Sequence, residues 1–187
     1  MAATGLRVTG GDSGGRRLNA PAGIRPSEGR VKEAIFNVLG RAVVGANVLD
    51  LCAGSGALGI EALSRGAERA TFVDRSERAA AAIRRNLETV GYGDRARVFR
   101  ADAARWLQQR PSDLRACDLV LVDPPYDDPV LMRLLQLLDR GVADGVLVVV
   151  EHGRRAPLPL LRRLRLLRQR RYGDTAVTIL EPEVASG

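Results

Sequence analysis

The chain has 187 residues, 45% of them hydrophobic and 27% charged, which suits one soluble globular domain with at most a small appendage and excludes a disordered chain. Two cysteines and one histidine exclude a disulfide scaffold, a four-thiolate zinc site and any site that needs several imidazoles. The net charge of +7 is uneven: residues 1–32 carry +4 and residues 152–187 carry +5, which leaves −2 for residues 33–151. Lys32 is the only lysine among 29 basic residues. Coding bias explains that choice of arginine but not its place at the two ends, and basic ends suit a polyanionic partner. The longest nearly uncharged apolar run, Gly145 to Val150, is too short to cross a membrane. The N-terminus has no apolar stretch of secretory type. A cytoplasmic, metal-free α/β protein is expected.

Residues 6–9 and 16–19 flank Gly-Gly-Asp-Ser-Gly-Gly and read as a β-hairpin with a glycine-rich turn. Residues 20–29 read as a linker. A helix is expected over Ser27 to Leu39, with Ser27 as N-cap and Val31, Ala34, Ile35 and Val38 as its apolar face. Arg30, Glu33 and Asn37 form a polar stripe on another side. A solvated face is the usual meaning of such a stripe, though asparagine is a poor helix former and hints at a side-chain role.

From Asn47 onward strands and helices alternate. Strands are expected at 48–51, 70–73, 97–100, 119–122 and 146–150, with helices at 57–65, 76–90, 103–109 and 129–139. Such alternation implies a parallel sheet covered on both faces. Residues 164–171 and 175–180 flank Tyr172-Gly173-Asp174 as a closing hairpin, so the last strand is expected to be antiparallel.

Four motifs carry chemistry. Asp50 opens a glycine-rich turn with Ala53, Gly54, Ser55 and Gly56 between the first core strand and its helix. Glycines allow the backbone to turn sharply and approach a ligand. The turn lacks the Lys-Ser/Thr of a phosphate-binding loop, and an acid there repels phosphate but suits a cationic or hydroxyl-bearing ligand such as S-adenosylmethionine. Asp74, followed by Arg75, ends the second strand and suits the ribose hydroxyls; Asp102, followed by Ala103, ends the third and suits the adenine amino group. Ligands of open α/β sheets bind beyond the carboxyl ends of the strands. Asp123-Pro124-Pro125-Tyr126 ends the fourth strand. Its prolines lack amide hydrogens and present only carbonyls. A carboxylate beside a free carbonyl gives one planar NH2 group two acceptors, and Tyr126 offers a face on which a base can stack.

With these residues the chain resembles the RsmD family of 16S ribosomal RNA (guanine-N2)-methyltransferases, from about Leu6 to Leu180. The matching segments are GGDSGGRRL, RPSEGRVKEAIFNVL, DLCAGSGALGIEALSRGA, FVDRS, the DPPY turn and RRYGDTAVTIL. The resemblance implies a Rossmann-like class I methyltransferase fold, with a seven-stranded, mostly parallel sheet and an antiparallel last strand. It implies S-adenosylmethionine as methyl donor and 16S rRNA, or the assembling small subunit, as partner of a monomer. Arg25, Arg30, Glu33 and Asn37 match the family's helix signature, which would turn the polar stripe toward the active site. Residues 1–26 are then an RNA-contacting appendage on a methyltransferase domain of 27–187, with Arg7, Arg16, Arg17 and Arg25 as its cations and an adaptable glycine turn. Cys52 stands where the family often has an aromatic. An adenine-N6 DNA methyltransferase, a protein-glutamine methyltransferase and a non-catalytic RNA-binding module are the alternatives. The first lacks room for a recognition domain, the second calls for Asn in place of Asp123, and the third is disfavoured by the intact acids. Cys52, Cys117 and Trp106 are expected in the core; Glu151 and His152 end the fifth strand, in the cleft or in a loop.

Overall fold

The computed structural model describes residues 6–19, 27–126 and 128–183. Seven strands form one sheet: β1 (Asn47–Leu51), β2 (Arg69–Asp74), β3 (Ala96–Arg100), β4 (Leu119–Val122), β5 (Leu147–Gly153), β6 (Leu164–Tyr172) and β7 (Thr175–Pro182). Their order is β3-β2-β1-β4-β5-β7-β6. The first five are parallel, and β7 lies antiparallel between β5 and β6. The helices are α1 (Ser27–Leu39), α2 (Ala57–Ser64), α3 (Glu77–Val90), α4 (Ala103–Gln109), α5 (Pro111–Arg115) and α6 (Val130–Gly141). None of them is long and apolar enough to cross a membrane.

Every residue of β4 is buried because helices cover both sheet faces. Leu119 and Leu121 pack with α1, α2 and α3, whereas Val120 and Val122 pack with α4, α5 and α6. The alternation follows from the two-residue period of a strand. The expected elements are present with ends displaced by up to three residues. α1 begins on Ser27 itself, and Ser76 caps α3 by accepting from Ala79 N (3.3 Å). Helix α5 is the element the sequence reading lacks. It is one turn long and opens on Pro111, where a missing amide hydrogen costs nothing.

The N-terminal segment does form a hairpin, held by an Arg7–Arg17 bridge and by Leu18 N to Leu6 O (2.8 Å). Leu6, Val8 and Leu18 are buried in the same core as α1, α2 and α3. The turn is packed rather than adaptable. Asp12 N donates to Ser64 O (2.9 Å), Ser13 N to Ser64 Oγ (3.0 Å), and Ser64 Oγ to Gly10 O (2.6 Å). Tyr92 hydroxyl bonds Asp12 and Ser13. Gly11 has φ +78°, and a Cβ there would lie 1.8 Å from Ser64 O, so only glycine fits. Since α2 runs from the carboxyl end of β1 back toward the start of β2, this turn sits at the amino-end pole of the sheet.

A fully buried carboxylate joins the hairpin to the domain. Glu61 on α2 accepts from Thr9 N (2.8 Å), Thr9 Oγ1 (2.7 Å) and Arg65 Nε (2.8 Å), and pairs with Lys32 Nζ of α1 at 3.0 Å. Lys32 Nζ also donates to Arg7 O. Burial alone would push the Glu61 carboxyl up; Lys32 and the Thr9 and Arg65 hydrogen bonds outweigh it and hold the group below its ordinary value. Lys32 is 3% exposed, so it leaves the basic surplus that the sequence offers to a polyanion.

Glu61→Ala strands a buried ammonium and three donors. It should cost about 3–5 kcal/mol, read as a lower denaturant midpoint. In the native protein this contribution is complete above about pH 4.3, the ordinary Glu value, and is lost as pH falls through the lowered folded-state value. The variant's deficit should therefore shrink in acid.

Candidate active site

The carboxyl ends of β1, β2, β4 and β5 open on one cleft of about 690 Å³. Val48, Phe72, Leu121 and Val149 all belong to the core on the α1–α3 face. Asp50, Asp74, Asp123 and Glu151 each stand two residues further on and therefore share that face. All four line the cleft, as do Asp102 and Asp128. Lys32 and Arg75 are the basic residues of its wall, and Arg75 lies 3.7 Å from Asp128. Among the described residues, five acids besides the buried Asp50 face two basic ones, which suits a cation and opposes a phosphate.

The glycine loop is held from below. Asp74 accepts from Gly54 N through Oδ2 (2.9 Å) and from Ser76 N through Oδ1 (2.8 Å). Each carboxylate oxygen has a second lone pair, so Asp74 keeps capacity toward the cleft. Asn86 donates to Ser55 O (2.9 Å) and fixes the loop's outer edge. Gly54 has φ +56°, and a Cβ there would meet nothing within 4 Å; the space above the loop is open to a ligand. Gly56 caps α2 in a left-handed conformation and is not among the residues that line the cleft. Asp102 caps α4 by accepting from Arg105 N through Oδ1 (2.8 Å), so it serves a helix end and lines the cleft at once. This lining fits the ammonium, ribose and adenine of S-adenosylmethionine.

Asp50 is different. Its Oδ2 accepts from Gly59 N (2.9 Å), but Oδ1 is buried among protein atoms without a partner. Burial pushes its pKa up to about 8, with Asp74 adding to the effect and the Gly59 bond opposing it. Its burial thus favours the neutral acid over the carboxylate. The sequence expects a charged acid there; a buried strand position favours a neutral one.

Past Val122 the chain enters the two-proline turn. Pro125 O accepts from Asp128 N (3.2 Å) and closes it. Tyr126 hydroxyl bonds Thr175 Oγ1 at the start of β7, so the ring is pinned. Asp123 and Tyr126 therefore face one space from opposite ends of a rigid turn.

Twelve expected residues meet in this cleft: Asp50, Ala53, Gly54, Ser55, Asp74, Arg75, Asp102, Ala103, Asp123, Pro124, Pro125 and Tyr126. The stripe on α1 does not. Arg30, Glu33 and Asn37 are exposed and line neither this cleft nor the groove beside it, whereas Val31 and Lys32 line the cleft. Arg16 Nη1 donates to Thr89 O (2.9 Å) at the end of α3 remote from the cleft, and Arg7 Nη1 donates to Gly15 O (3.0 Å). Arg17 is exposed. Arg25 lies outside the described residues. Cys117 is buried and Trp106 packs on Phe99 in the core (ring centroids 5.7 Å), as expected. Cys52 is a correction: it is half-buried, lines the cleft and has φ +59°. Burial and the acids around it push its thiol up to about 12, so it is not a nucleophile.

His152 is buried; its Nδ1 donates to Gly153 O (2.9 Å), and its Nε2 accepts from Thr178 Oγ1 (2.8 Å). Burial holds its pKa below the ordinary value, against the Gly153 bond. It joins β5 to β7 as a neutral ring. A second groove of about 910 Å³ shares Pro124, Pro125, Tyr126 and Asp128 with the cleft and is lined by Arg154, Arg155 and Arg171. The surplus of arginine after residue 152 is the only sequence signal for it.

Sheet order, glycine loop and acidic strand ends define a Rossmann-like class I methyltransferase fold. Residues 6–181 match the family described as Conserved hypothetical protein 95. The chain belongs to that family, whose members include the RsmD-type methyltransferases. It is similar to Ribosomal RNA small subunit methyltransferase D of Escherichia coli, 40% identical over 150 residues that cover 78% of this chain and 74% of that protein. YlbH of Bacillus subtilis is 41% identical over 179 residues, 93% of this chain and 97% of that one. The solved structure of yhhF from Escherichia coli superposes with a TM-score of 0.82 at 34% identity, covering 96% and 98% of the two chains.

The buried Asp50 yields a test with a definite sign. Its folded-state value is raised, so its contribution to stability is complete below about pH 3.9, the ordinary Asp value, and is lost as pH rises toward about 8. Asp50→Asn cannot ionise. Denaturant midpoints should show the variant gaining on the native protein between pH 5 and pH 8.

Proposed function

We propose that the protein transfers a methyl group from S-adenosylmethionine to the exocyclic N2 amine of a guanine in 16S rRNA, as naked RNA or in the assembling small subunit. The observation that carries this reading is Asp123, held at the mouth of a rigid two-proline turn in the cleft that the glycine loop and Asp74 also line. The name of the Escherichia coli relative supports the rRNA substrate. The donor would lie over β1, β2 and β3, with Asp74 toward its ribose and Asp102 with Ala103 toward its adenine. Bound there, it would supply an electrophilic methyl group on a sulfonium, whose sulfur departs as a neutral thioether when the S–C bond breaks.

The chain's own part is to hold the nucleophile. The Asp123 carboxylate and the Pro124 carbonyl accept the two N–H bonds of the amine. That fixes the nitrogen lone pair toward the donor side and stabilises the positive charge that develops on nitrogen, and as the N–C bond forms the surplus N2 proton passes to the Asp123 carboxylate and on to solvent. Tyr126, pinned through Thr175, stacks on the base. Phosphates run outside the acidic cleft. Arg154, Arg155 and Arg171 border it on the β5 side; Arg7 and Arg30, next in sequence to the cleft residues Leu6 and Val31, border it on the hairpin side with Arg17.

Incubating the protein with labelled donor and, separately, rRNA, small subunits, DNA and protein, then mapping the label, tests the reading. Label on N2 of one guanine is expected; label on DNA adenine or on protein would overturn it. Asp123→Ala should cut transfer by about 10²–10³-fold with donor affinity within a few-fold of native. Asp74→Ala should do the reverse, weakening donor binding by about 1–3 kcal/mol for a lost buried hydrogen bond.

The RNA path is read from salt dependence. Each phosphate contact removed should flatten the slope of log affinity against log salt by about 0.7–0.9. Arg154→Ala, Arg155→Ala and Arg171→Ala should each do so, and Arg16→Ala, at the opposite pole, should not.

A further inference from the structure

Three of the acids in the cleft, Asp74, Asp102 and Asp123, have a role in the proposed reaction or in the glycine loop; Asp50 holds Gly59 N of α2, and Asp128 accepts from Val130 N and pairs with Arg75. Glu151 has no such assigned role, yet its position is fixed by the sheet. β4 and β5 are parallel, with Val122 registered on Val150, so the next residues, Asp123 and Glu151, continue that register. Adjacent strands lie about 4.8 Å apart, and both side chains share the α1–α3 face. Glu151 is half-buried and lines the cleft. On its other side Glu151 is registered on Val177 of β7. Thr175 stands two residues before Val177, on the same face, and holds the Tyr126 hydroxyl. One end of the cleft thus combines a pinned aromatic ring with two neighbouring carboxyl groups, on the side of Asp123 away from the glycine loop.

We infer that Glu151 is the residue that selects guanine, by accepting the N1–H of the base whose N2 amine Asp123 holds. The inference rests on the guanine-N2 reading above and names its specificity device. Guanine carries donors at adjacent atoms of one edge, N1–H and N2–H2. Two side-by-side carboxylates are the matching acceptors, and hydrogen bonds to a charged acceptor are the strong ones. A base with an amine beside an unprotonated ring nitrogen, as in adenine, would set a lone pair against Glu151. Sites built to bond an N–H reject analogues that lack it far more strongly than apolar pockets reject a missing methyl. Read on its Watson–Crick edge, the base would have to leave its helix to enter.

The probe is 2,6-diaminopurine placed at the mapped target guanine, in the RNA or reconstituted subunit that the native protein methylates. This base keeps the N2 amine and lacks the N1–H. The native protein should methylate it about 10²-fold less well than guanine, or worse. A glutamine at 151 offers both an acceptor and a donor, so Glu151→Gln should bring the two bases within about tenfold of each other, with donor affinity unchanged. A variant that lowers both rates equally and preserves the ratio would show a merely structural role and overturn the inference. So would a native protein that accepts both bases alike. In those two cases the guanine-N2 reading stands. Label mapped to any atom other than guanine N2 overturns both.

Discussion

A single buried carboxylate decides where the hairpin of residues 6–19 and α1 go. Glu61 is fully buried on α2, and an ion in such a place is tolerated only when its lone pairs are occupied. Lys32, Thr9 and Arg65 occupy them, which draws α1 and the hairpin onto the same helix. Leu6, Val31 and Lys32 then become one wall of the cleft. The hairpin is therefore part of the domain's core and builds the site from behind; its glycine turn is a rivet on the C-terminal end of α2. Buried ion pairs add little net stability but penalise every alternative packing that would leave one partner alone. That penalty sets the register of the N-terminal segment against the sheet.

The rest of the site follows from strand geometry. In a doubly covered parallel sheet, the carboxyl ends of the strands are where side chains emerge from the core together. β1, β2, β4 and β5 each place an acidic residue there, on one face and within one cleft. Their environments differ. Asp50 is inside the sheet and buried; Asp74 is tied to backbone N–H groups of the loop and of its own turn; Asp123 follows the strand and precedes two residues that cannot donate. A row of one residue type thus yields a buried acid, a loop anchor and a carboxylate at the mouth of a turn that offers only acceptors.

Much of this was legible in the chain. Alternating apolar runs gave the strand and helix positions, since β4 and its neighbours are buried on both faces. Asp123 and Glu151 were legible because a charged residue after four apolar ones is driven to the rim; Asp50, inside β1 and buried, shows that this rule does not hold for every acid of the row. The stripe on α1 misled. Arg30, Glu33 and Asn37 recur at helical spacing, but the helix turns its Lys32 side to the cleft. The better signal was Lys32 itself, the one lysine of the chain, amid Val31, Ile35 and Phe36. Glu61, a lone charge within Ala57–Ser64, was its counterpart. Pairing the two takes knowledge of how α1 crosses α2, and no local pattern carries that. Cys52 escaped for a related reason: its positive φ is imposed by the loop that follows it.

The uneven charge acquires a spatial meaning. The near-neutral middle of the sequence supplies the acidic cleft, and the C-terminal surplus supplies arginines in the adjoining groove. For a polyanion these two zones have opposite effects. Phosphates are repelled from the cleft and drawn to its border, over the roughly 8–10 Å within which such fields survive physiological salt. A neutral base feels no such repulsion and gains from carboxylate acceptors. On the proposed reading, an RNA strand on this surface would be sorted into backbone outside and base inside, before any contact specific to one nucleotide is made. The same acids that favour a cationic donor also keep the phosphate chain from occupying its place.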